Sequence, residues 1–563
     1  MTKIVNKKRI YLQLTDNLPQ PASLYKKAGM EAIFSLEKNI SKRIFSKKEL
    51  VKFLNQIAKN YNLKNQLPHW YLNYLLLTES SSFKKISAKH LEQIAALLKT
   101  HERRTQSGVA PVSLFTAPGG CPFNCLYCPK TNNTPKSYLP DEPAIMRAIR
   151  NNYDPLKQTL SRLLQLKLLG HSVSKIDIII QGGTFSYYDQ AYRKDFMAKI
   201  FLAANANMQA VLKKGYLDIP EKLDLSKIQK INETATNRII GITIETRPDF
   251  INEKELKFLR ELGITRIEVG VQSLDEGVLK TIRRGHDLTA VKRANECLRN
   301  FGFKVNFHMM PNLPGATPAK DIAMFKKLFA DSAYRPDYLK IYPTMVVRGS
   351  DLEAWQTEHL YKSYSDKILL KTLCSIYESL PNYVRVQRLI RDIPAGEITS
   401  GSIISNLHED LNKIFLKQHK LLLEIRSREI AGAKPAKELK LKVTQYEAAG
   451  GQEYFLEYID DQNRLYGLLR LRIDSHNLKD YSFADKNIAL IREVHVYGEA
   501  TQLKLKGLVQ HQGLGTQLLK EAEKIATLNH CNAIAVIAGI GVRNYYRAKD
   551  YHLKQTYMYK KLI

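Results

Sequence analysis

Three cysteines lie close together at Cys121, Cys125 and Cys128, in a C-x3-C-x2-C spacing with Tyr127 just before the last sulfur. Three thiolates in one short loop can hold three irons of a cubic iron–sulfur cluster and leave the fourth iron open. An open iron can bind and reduce S-adenosylmethionine, whose cleavage gives a carbon radical. The spacing therefore predicts a [4Fe-4S] cluster on these cysteines, with S-adenosylmethionine bound beside it.

Zinc binding and disulfide formation are the alternative uses of these cysteines. A closed structural zinc site needs four ligands, usually in two separated pairs, whereas the other cysteines, Cys297, Cys374 and Cys531, are scattered singly. Six cysteines in 563 residues, with no secretory leader, are typical of a reducing cytoplasmic compartment. Zinc stays open as the minor alternative, and the three scattered cysteines are expected to be small buried hydrophobic residues.

The charge of the chain indicates a polyanionic partner. Lysine and arginine number 86 against 55 aspartate and glutamate, a formal net charge of +31. Residues 1–100 carry 18 basic and 6 acidic side chains, or +12. A solvated lysine-rich surface is the plain alternative, but counterion release on binding phosphates favours a nucleic acid. No apolar run approaches the roughly 20 residues of a membrane span, so no membrane partner is expected.

Short apolar segments alternate with helical ones from about residue 110, which predicts a parallel sheet covered by helices. The predicted strands are 112–116, 176–180, 239–244, 267–271, 304–307 and 339–341. Six such units predict an α/β fold, an open and incomplete (β/α)6 barrel, in which chemistry gathers at the carboxyl ends of the strands.

Polar or glycine residues follow almost every predicted strand, at the edge where the cysteine loop also lies. They are Gly182, Gly183 and Thr184, then Glu245 and Arg247, then Gln272, then His308, and finally Lys340 and Tyr342. We expect them to point into one cavity, and Lys340 and Tyr342 share one face of their strand because alternate residues do. Membership of a structural network is the alternative for each.

Three further regions surround the predicted barrel, which spans residues 101–395. Residues 30–100 show apolar stripes at helical spacing, such as Leu50, Leu54 and Ile57, and are predicted to form a small basic helical module. Residues 1–29 are set aside as a tag, linker or disordered tail, because 22–29 resembles a recombination-cloning peptide. A basic linker is expected over 396–445, followed by an α+β domain over 446–563.

A second candidate site precedes a predicted helix at 514–528. Glycines and a helix start suit a pyrophosphate, although a plain loop-to-helix turn is about equally compatible with the residues alone. The order of strands around it, and an aromatic pair at Tyr545 and Tyr546, resemble acetyl-coenzyme A binding in GNAT acetyltransferases. The loop residues are Gln510, His511, Gln512, Gly513, Leu514 and Gly515.

The combination resembles the catalytic subunits of the Elongator complex, in their stand-alone archaeal or bacterial form, from about residue 100 to the end. The motifs that carry the resemblance are 121–129, 142–150, 182–185, 241–249, 268–273, 284–286, 308–314, 339–344, 391–394, 467–472, 492–498 and 543–547. The resemblance implies a radical-SAM barrel joined to a GNAT domain. Gly182 and Gly183 then replace the usual glycine-glycine-glutamate element, with Thr184 in the acidic position.

The resemblance also implies a reaction, the modification of the wobble uridine in a tRNA anticodon. A 5′-deoxyadenosyl radical takes hydrogen from the acetyl methyl of acetyl-coenzyme A, the carbon radical adds to carbon 5, and thioester hydrolysis leaves a carboxymethyl group. Lys340 and Tyr342 resemble a pair at the acetyl-coenzyme A–handling site. Residues 510–515 hold the pyrophosphate, and Tyr545 and Tyr546 lie near the thioester, where a hydroxyl suits proton donation.

The tRNA footprint is expected on the basic helices between Lys38 and Lys89, with Arg103 and Arg104 leading toward the cluster. Further basic residues are expected to line a groove between the two large domains: Arg385, Arg388, Arg391 and the lysines of 437–442. A protein lysine acetyltransferase and a noncatalytic tRNA-binding module are the rival functions. A radical methylthiotransferase is disfavoured because a second cysteine trio is lacking. A homodimer stays open, and accessory subunits are not expected of a stand-alone enzyme.

Overall fold

The computed structural model describes residues 8–11, 19, 21–42, 45–101, 105, 108–404, 406–430, 436, 438–479, 481, 483, 487–498 and 513–562. None of the helices in these ranges is both long enough and apolar enough to cross a membrane.

The amino-terminal part of the chain is a helical module with its own apolar core. Its helices are α1 Ala22–Lys42, α2 Lys47–Asn60, α3 His69–Thr78 and α4 Ala88–Leu98. The predicted stripe is confirmed, since Leu50, Leu54 and Ile57 are buried. Helix α2 begins with a capping box in which Ser46 and Glu49 satisfy each other's free backbone N–H groups, an arrangement that stabilises a helix start.

The expectation that residues 1–29 lie apart from the fold is wrong for the described part of that segment. Helix α1 begins at Ala22 and buries Tyr25, Ala28 and Gly29. A Cβ on Gly29 would lie 2.4 Å from the Leu75 side chain, so α1 and α3 pack closely there. The strand β1 Lys8–Tyr11 pairs with β4 Tyr216–Ile219. Close packing between helices, which the sequence of one segment does not show, therefore brings this stretch into the fold.

The middle of the chain is the predicted α/β barrel, opened into a curved sheet. Its strands are β2 Ala110–Phe115, β3 Lys175–Gln181, β5 Arg238–Thr246, β6 Arg266–Gln272, β7 Lys304–Met309, β8 Tyr338–Ile341 and β10 Arg385–Arg388. Within the described residues they are all parallel, in the order β10-β8-β7-β6-β5-β3-β2. All six predicted strands are present, and β10 adds a seventh at the edge.

Helices cover the outer face of this sheet, as parallel sheets require. They are α5 Pro143–Arg150, α6 Pro155–Leu168, α7 Gln190–Asn205, α8 Met208–Lys214, α9 Leu225–Asn232, α10 Glu253–Glu261, α11 Glu276–Thr281, α12 Leu288–Asn300, α13 Pro318–Ala330, α14 Asp351–Thr357, α15 Asp366–Glu378, α16 Leu407–Lys417 and α17 Ile425–Arg428. A two-stranded antiparallel ribbon, β9 Val346–Val347 with β11 Ile398–Ser400, follows the parallel strand β8 in the chain.

The predicted linker at 396–445 is largely part of the folded units on either side. Helix α16 buries Leu407, Leu411 and Phe415 in the same core as the barrel strands. The strand β12 Lys440–Ala448 already belongs to the carboxyl-terminal sheet. Both elements carry many charged residues, which masked their apolar stripes in the sequence.

The carboxyl-terminal part is an α+β domain with a mixed sheet. Its further elements are β13 Gly451–Ile459, β14 Leu465–Ile473, β15 Ile488–Val496, α18 Leu514–Leu528, β16 Ala533–Val536, α19 Arg543–Arg547, β17 His552–Lys554 and β18 Tyr557–Lys561. The described strands have the order β12-β13-β14-β15-β16-β18-β17, and β15 and β16 form its parallel pair.

A buried ionic network joins this domain to the barrel. Arg492 of β15 donates to both carboxylate oxygens of Asp337 at 2.6 and 2.7 Å. It also donates to Glu453 of β13 at 2.7 Å, which accepts from Arg299 of α12 at 2.9 Å. Asp337 comes directly before β8, and neither it nor Arg492 is exposed to solvent. Charges from the two units therefore satisfy each other across the interface.

Candidate active site

The cysteine loop follows β2 at the carboxyl edge of the parallel sheet. Cys125 is buried, and Cys121 and Cys128 are half-buried free thiols. The Leu126 N–H donates to the carbonyl of Ile282 at 3.0 Å, which holds the loop against the end of α11. All three sulfur-bearing side chains line one cavity, as the spacing predicts.

Positive charge surrounds these sulfurs. Arg284 donates to the Cys125 sulfur at 3.5 Å. A hydrogen bond from Cys128, aided by the Arg284 charge and opposed by burial, lowers the pKa of Cys125 to about 5. The guanidinium of Arg247 lies 3.4 Å from the ring centroid of Phe123 in the same loop. The charges of Arg284 and Arg247 therefore favour the thiolate form of Cys125, the form in which sulfur binds metal.

The number of sulfurs argues against a closed zinc site. Such a site takes four ligands in a tetrahedron, whereas Cys121, Cys125 and Cys128 supply three sulfurs, the number that holds a cubic cluster with one open iron. Among the described residues, the one group of three potential ligands whose atoms all lie within 4.8 Å of each other is Glu245, Glu268 and His308.

The predicted glycine turn after β3 lies against the cysteine loop. Gly182 and Gly183 have φ values of +133° and +94°, which favour glycine. A Cβ on Gly182 would lie 2.0 Å from the Thr116 hydroxyl, so a side chain does not fit. Thr184 donates its N–H to the Gly120 carbonyl at 2.9 Å. Gly183 and Thr184 line the cavity, whereas Gly182 shapes the turn.

A charged cluster lies deeper in the barrel. Lys340 of β8 forms an ion pair with Glu268 of β6 and lies 3.7 Å from Glu245 of β5. His308 of β7 contacts Glu268 through Nε2 at 2.9 Å. Tyr138 donates to Glu245 at 2.8 Å. Adjacent strands thus bring together side chains that are far apart in the sequence.

The Glu268–Lys340 pair stays charged although it is buried. Burial alone would raise the pKa of Glu268, but Lys340 and His308 hold it well below its usual range. Burial likewise opposes the charge of Lys340, and Glu268 raises its pKa above the ordinary value. Tyr342, just beyond β8, lines the same cavity, and burial raises its pKa.

The glycine loop of the carboxyl-terminal domain faces the same space. Gly513 precedes α18 with a φ of +93°, and Gly513, Leu514 and Gly515 all line the cavity. A Cβ on Gly515 would lie 2.8 Å from the Tyr545 hydroxyl. Tyr545 is 39 % exposed, whereas Tyr546 is 6 % exposed and packs in the domain core. The predicted residues Gln510, His511 and Gln512 lie outside the described residues.

One cavity of approximately 1010 Å³ joins these two sites. It extends from the cysteine loop through the barrel to the start of α18 and Tyr545. Its wall includes the predicted basic residues Arg385, Arg388 and Arg391. Each has a carboxylate partner, for example Glu429 for Arg385 at 2.5 Å. Arg103, Arg104 and residue 437 lie outside the described residues.

Comparison with known proteins identifies the family of this chain. Residues 116–328 match the Radical SAM superfamily, and residues 336–417 match the Radical_SAM C-terminal domain. A tRNA uridine(34) acetyltransferase of Dehalococcoides mccartyi is 39 % identical over 468 residues, covering 82 % of this chain and 99 % of the relative. Elongator complex protein 3 of Saccharomyces cerevisiae is 36 % identical over 581 residues, covering 98 % and 95 %. The chain belongs to the Elongator complex protein 3 family.

A solved structure of this family agrees with the fold. The archaeal Elp3 of Methanocaldococcus infernus, with residues 1–46 deleted, has a TM-score of 0.70 and 34 % sequence identity. The match covers 81 % of this chain and all of that one. The predicted resemblance, the α/β barrel with a carboxyl-terminal α+β domain, and the enzyme class are confirmed.

Radical-SAM membership implies S-adenosylmethionine and a [4Fe-4S] cluster, and the residues present fit both. Three thiols face the cavity beside a glycine turn. Within the described residues, Arg247 Nη1 and Gln272 Oε1 are buried polar atoms without a hydrogen-bond partner, and both residues line the cavity near the cysteines. Buried polar groups are almost always satisfied, so these two atoms are available to a polar group of a bound cofactor.

Most residues that line the cavity are predicted from the sequence, but Glu268, which lies at the centre of the charged cluster, is not. The predicted Glu245, Arg247, Gln272, His308, Lys340 and Tyr342 all line the cavity. Glu268 belongs to the family motif 268–273, but it was not predicted as a site residue. It is 1 % exposed and contacts both His308 and Lys340. Its partners lie on β7 and β8. Predicting these contacts requires knowing which strands are neighbours and in what register they pair. Tyr138 was also missed, because it lies in a loop and its partner Glu245 is 107 residues away in the sequence.

Proposed function

We propose that this enzyme carboxymethylates carbon 5 of the wobble uridine of tRNA, using acetyl-coenzyme A as the carbon source. The observation that carries the proposal is the single cavity that joins the cysteine loop to the glycine-capped helix α18. The relatives named tRNA uridine(34) acetyltransferase supply the substrate class. A radical site and a coenzyme site that share one cavity suit a reaction that needs both.

The carboxyl-terminal domain supports acetyl-coenzyme A as the ligand. Strands β15 and β16 pair in parallel only as far as Ile491 with Val536. Beyond that point, Val494, Val496, Ile537 and Ala538 line the cavity. Diverging parallel strands leave backbone N–H and C=O groups for a ligand, and the amides of a pantetheine arm supply matching partners. The start of α18 adds partial positive charge for a pyrophosphate.

The barrel residues orient the reacting groups. When bound, the cluster and S-adenosylmethionine supply a 5′-deoxyadenosyl radical. Cys121, Cys125 and Cys128 would hold the cluster, and Arg247 and Gln272 would contact the sulfonium cofactor. Lys340, held by Glu268, would present an ammonium group to the acetyl carbonyl, with Tyr342 beside it. Tyr545, next to Gly515 at the start of α18, would donate a hydrogen bond to the coenzyme before its thioester reaches Lys340. Tyr546 supports Tyr545, since the two rings pack edge to face at 5.2 Å.

The surface charge supports a tRNA substrate. Lys48, Lys52 and Lys59 of α2 are exposed, as are Lys84 and Lys89 beside and within α4. They extend over the predicted footprint, and such lysines bind phosphates without reading sequence. The anticodon stem-loop is the part of the tRNA that must reach the cavity.

Anaerobic reconstitution tests this function. The purified enzyme, with its cluster restored, is incubated with reductant, tRNA, S-adenosylmethionine and acetyl-coenzyme A carrying a trideuterated methyl group. Mass spectrometry should show carboxymethyluridine and deuterated 5′-deoxyadenosine. Formation of 5′-deoxyadenosine without deuterium and without modified uridine contradicts the proposal. Acetylated lysine on a protein, with unmodified tRNA, would instead support the lysine acetyltransferase alternative.

A further inference from the structure

The inner face of the barrel is not closed by packed side chains, and this is clearest on β3. Its residues alternate between half-buried and buried: Lys175, Asp177, Ile179 and Gln181 are half-buried, and the isoleucines between them are buried. The half-buried set lines the cavity. Inward residues of a closed (β/α)8 barrel pack into a solid core. Here they border open space.

We call the open space inside the barrel, which the half-buried residues of β3 border, the lumen. Its wall is polar along its length. Near the amino ends of the strands, Arg266 donates to Asp177 at 2.9 Å. Further along, Lys340, His308 and Glu268 form the charged cluster described above. Beyond them, toward the cysteines, Gln272 and Arg247 offer unpaired polar atoms among the described residues. A polar wall of this kind suits a chain of amides rather than a hydrocarbon.

The lumen separates the two candidate cofactor sites. Arg266 and Gln272 stand at opposite ends of β6 and both line the cavity. Six residue steps at about 3.3 Å place these ends roughly 20 Å apart. The cysteine loop lies at the carboxyl end, the end of Gln272.

The carboxyl-terminal domain covers the opposite mouth of the lumen. A Cβ on Gly539, which follows β16, would lie 2.1 Å from the Ile240 carbonyl oxygen near the amino end of β5. Tyr338, the first residue of β8, donates to Glu493 of β15. The diverging strands β15 and β16 therefore open toward the amino ends of the barrel strands.

We propose that the barrel lumen is the binding site for the acyl-bearing arm of the coenzyme thioester. The arm enters at the Arg266 end and carries its acetyl group toward Lys340 and the radical site. This inference rests on the proposed function and adds a route to it. In the step that needs this route, a methyl C–H bond of the acetyl group breaks and the 5′ carbon gains that hydrogen. An unpaired electron stays on the remaining methylene carbon.

Contact between the two carbons requires one of them to cross the lumen. Hydrogen transfer needs the reacting atoms about 3–3.5 Å apart, far less than the length of the lumen. The buried network of Arg492, Asp337 and Glu453 fixes the two units, since separating them would expose unpaired charges. An extended thioester arm is the part of either cofactor that can span the distance.

Occupancy of the lumen can be measured without any radical chemistry. Ser113 of β2 is half-buried and lines the lumen, so S113C places a thiol on its wall. The holoenzyme variant is treated with a small methanethiosulfonate reagent, with and without a non-hydrolysable dethia analogue of acetyl-coenzyme A. We expect saturating analogue to slow labelling of the introduced cysteine at least tenfold. The native half-buried Cys374 on α15, outside the cavity lining, serves as the internal reference.

Blocking the lumen tests its use in the reaction. S113F and I179F each place a ring in the lumen from a different strand, and S113A is the matched control without bulk. Both blocked variants should retain acetyl-coenzyme A–independent cleavage of S-adenosylmethionine within twofold, which also reports folding. Deuterium transfer from the labelled methyl to 5′-deoxyadenosine should fall at least tenfold. S113A, which removes a hydroxyl of the lumen wall without adding bulk, should lose much less deuterium transfer than S113F.

The outcomes separate the two proposals. Unslowed labelling of the introduced cysteine under saturating analogue, or normal deuterium transfer in both blocked variants, overturns the lumen route. Absence of deuterium transfer in the wild type overturns the proposed function instead. Because the two blocks come from different strands, misfolding of one leaves the other to decide.

Discussion

The two ends of the cavity recognise their ligands by different means. At the cysteine end, side chains define the site: three thiols, Arg284, Arg247 and Gln272 converge from separate strands and loops. At the α18 end, the backbone defines it. Gly513 has a positive φ, Gly515 leaves room beside Tyr545, and β15 and β16 diverge.

This difference determines how each end responds to mutation. A site made of side chains loses function when a functional group is removed. A site made of backbone tolerates most side-chain losses but not added bulk. Removal of a functional group should therefore affect the cysteine end alone, whereas a methyl group added at a glycine should affect either end.

The largest effect is expected from removing a single sulfur. C125A leaves the cluster with two thiolates, so S-adenosylmethionine cleavage should fall below detection while acetyl-coenzyme A affinity stays within twofold. Iron content, 5′-deoxyadenosine yield and calorimetric binding of the coenzyme measure the two ends separately. C374A, which removes a half-buried thiol outside the cavity, is the control and should change none of them. Equal loss at both ends would contradict the comparison.

Removing the central carboxylate should also be severe. E268Q leaves Glu245, 3.7 Å away, as the remaining carboxylate beside the buried Lys340 ammonium. Losing one partner of a buried ion pair costs about 3–5 kcal/mol when the charge is left uncompensated, and Glu245 offsets part of that cost. Hydrogen exchange of the β6 and β8 amides should become faster by a matching factor. The double variant E268Q/K340M also removes the Lys340 charge. It should restore part of the protection of the β6 and β8 amides against hydrogen exchange. If E268Q exchanges as slowly as the wild type, the pair does not stabilise the barrel.

A methyl group added at one end of the cavity should weaken binding of the ligand at that end and leave binding at the other end unchanged. G183A meets a φ of +94°, a strain of about 1–2 kcal/mol, and should weaken S-adenosylmethionine binding roughly tenfold. G515A directs a Cβ at the Tyr545 hydroxyl, 2.8 Å away, and should weaken acetyl-coenzyme A binding by a similar factor. Each should leave the other ligand unaffected in calorimetric titrations. G396A, where a Cβ meets nothing within 4 Å in the described residues, is the neutral control.

The smallest effect concerns pH at the cysteine end. Asp321 of α13 accepts from the Asn312 N–H at 2.8 Å and from Tyr364 at 2.9 Å, and burial raises its pKa to about 6. The folded state therefore holds a proton that the unfolded state releases near pH 3.8. The stabilisation from this proton is complete below the unfolded pKa and is lost as pH rises through about 6.

Thermal unfolding from pH 4 to pH 8 measures this effect. The midpoint of the wild type should fall relative to that of D321N between pH 4 and pH 6, by on the order of a few degrees, and stay level above. Coenzyme affinity should not follow this change. A constant difference between the two proteins over the whole range would show that Asp321 does not titrate in this window.

The sequence predicts the fold well where residues are apolar and locally patterned. The six predicted barrel strands bury isoleucine, valine and other apolar side chains in the core beneath the outer helices, so these apolar runs are visible without a structure. The seventh strand, β10, contains two arginines in four residues, and β12 is rich in lysine. Both lie at sheet edges, where charge protects against unwanted strand pairing and hides the strand pattern.

The candidate site divides in the same way. The cysteine trio and the glycine turn are local in sequence and were predicted by residue number. Glu268 depends on the register of three strands, and the burial of Tyr546 depends on how α19 packs. Residues 1–29 were predicted to lie outside the fold because 22–29 resembles a cloning peptide, which is also a local feature. The burial of Tyr25 instead depends on its contact with Tyr71, whose ring centroid lies 6.4 Å away. Long-range packing limits each of these predictions.

Asp337 and Glu453 have a consequence for how this protein can be divided. Each half of the molecule holds the counter-ions of the other, so a fragment cut between residues 430 and 440 would present bare guanidinium or carboxylate groups where it needs partners. The two fragments, expressed separately, should aggregate or bind chaperones rather than fold as independent enzymes. The two parts can therefore be expected to fold and to remain soluble only as one continuous chain.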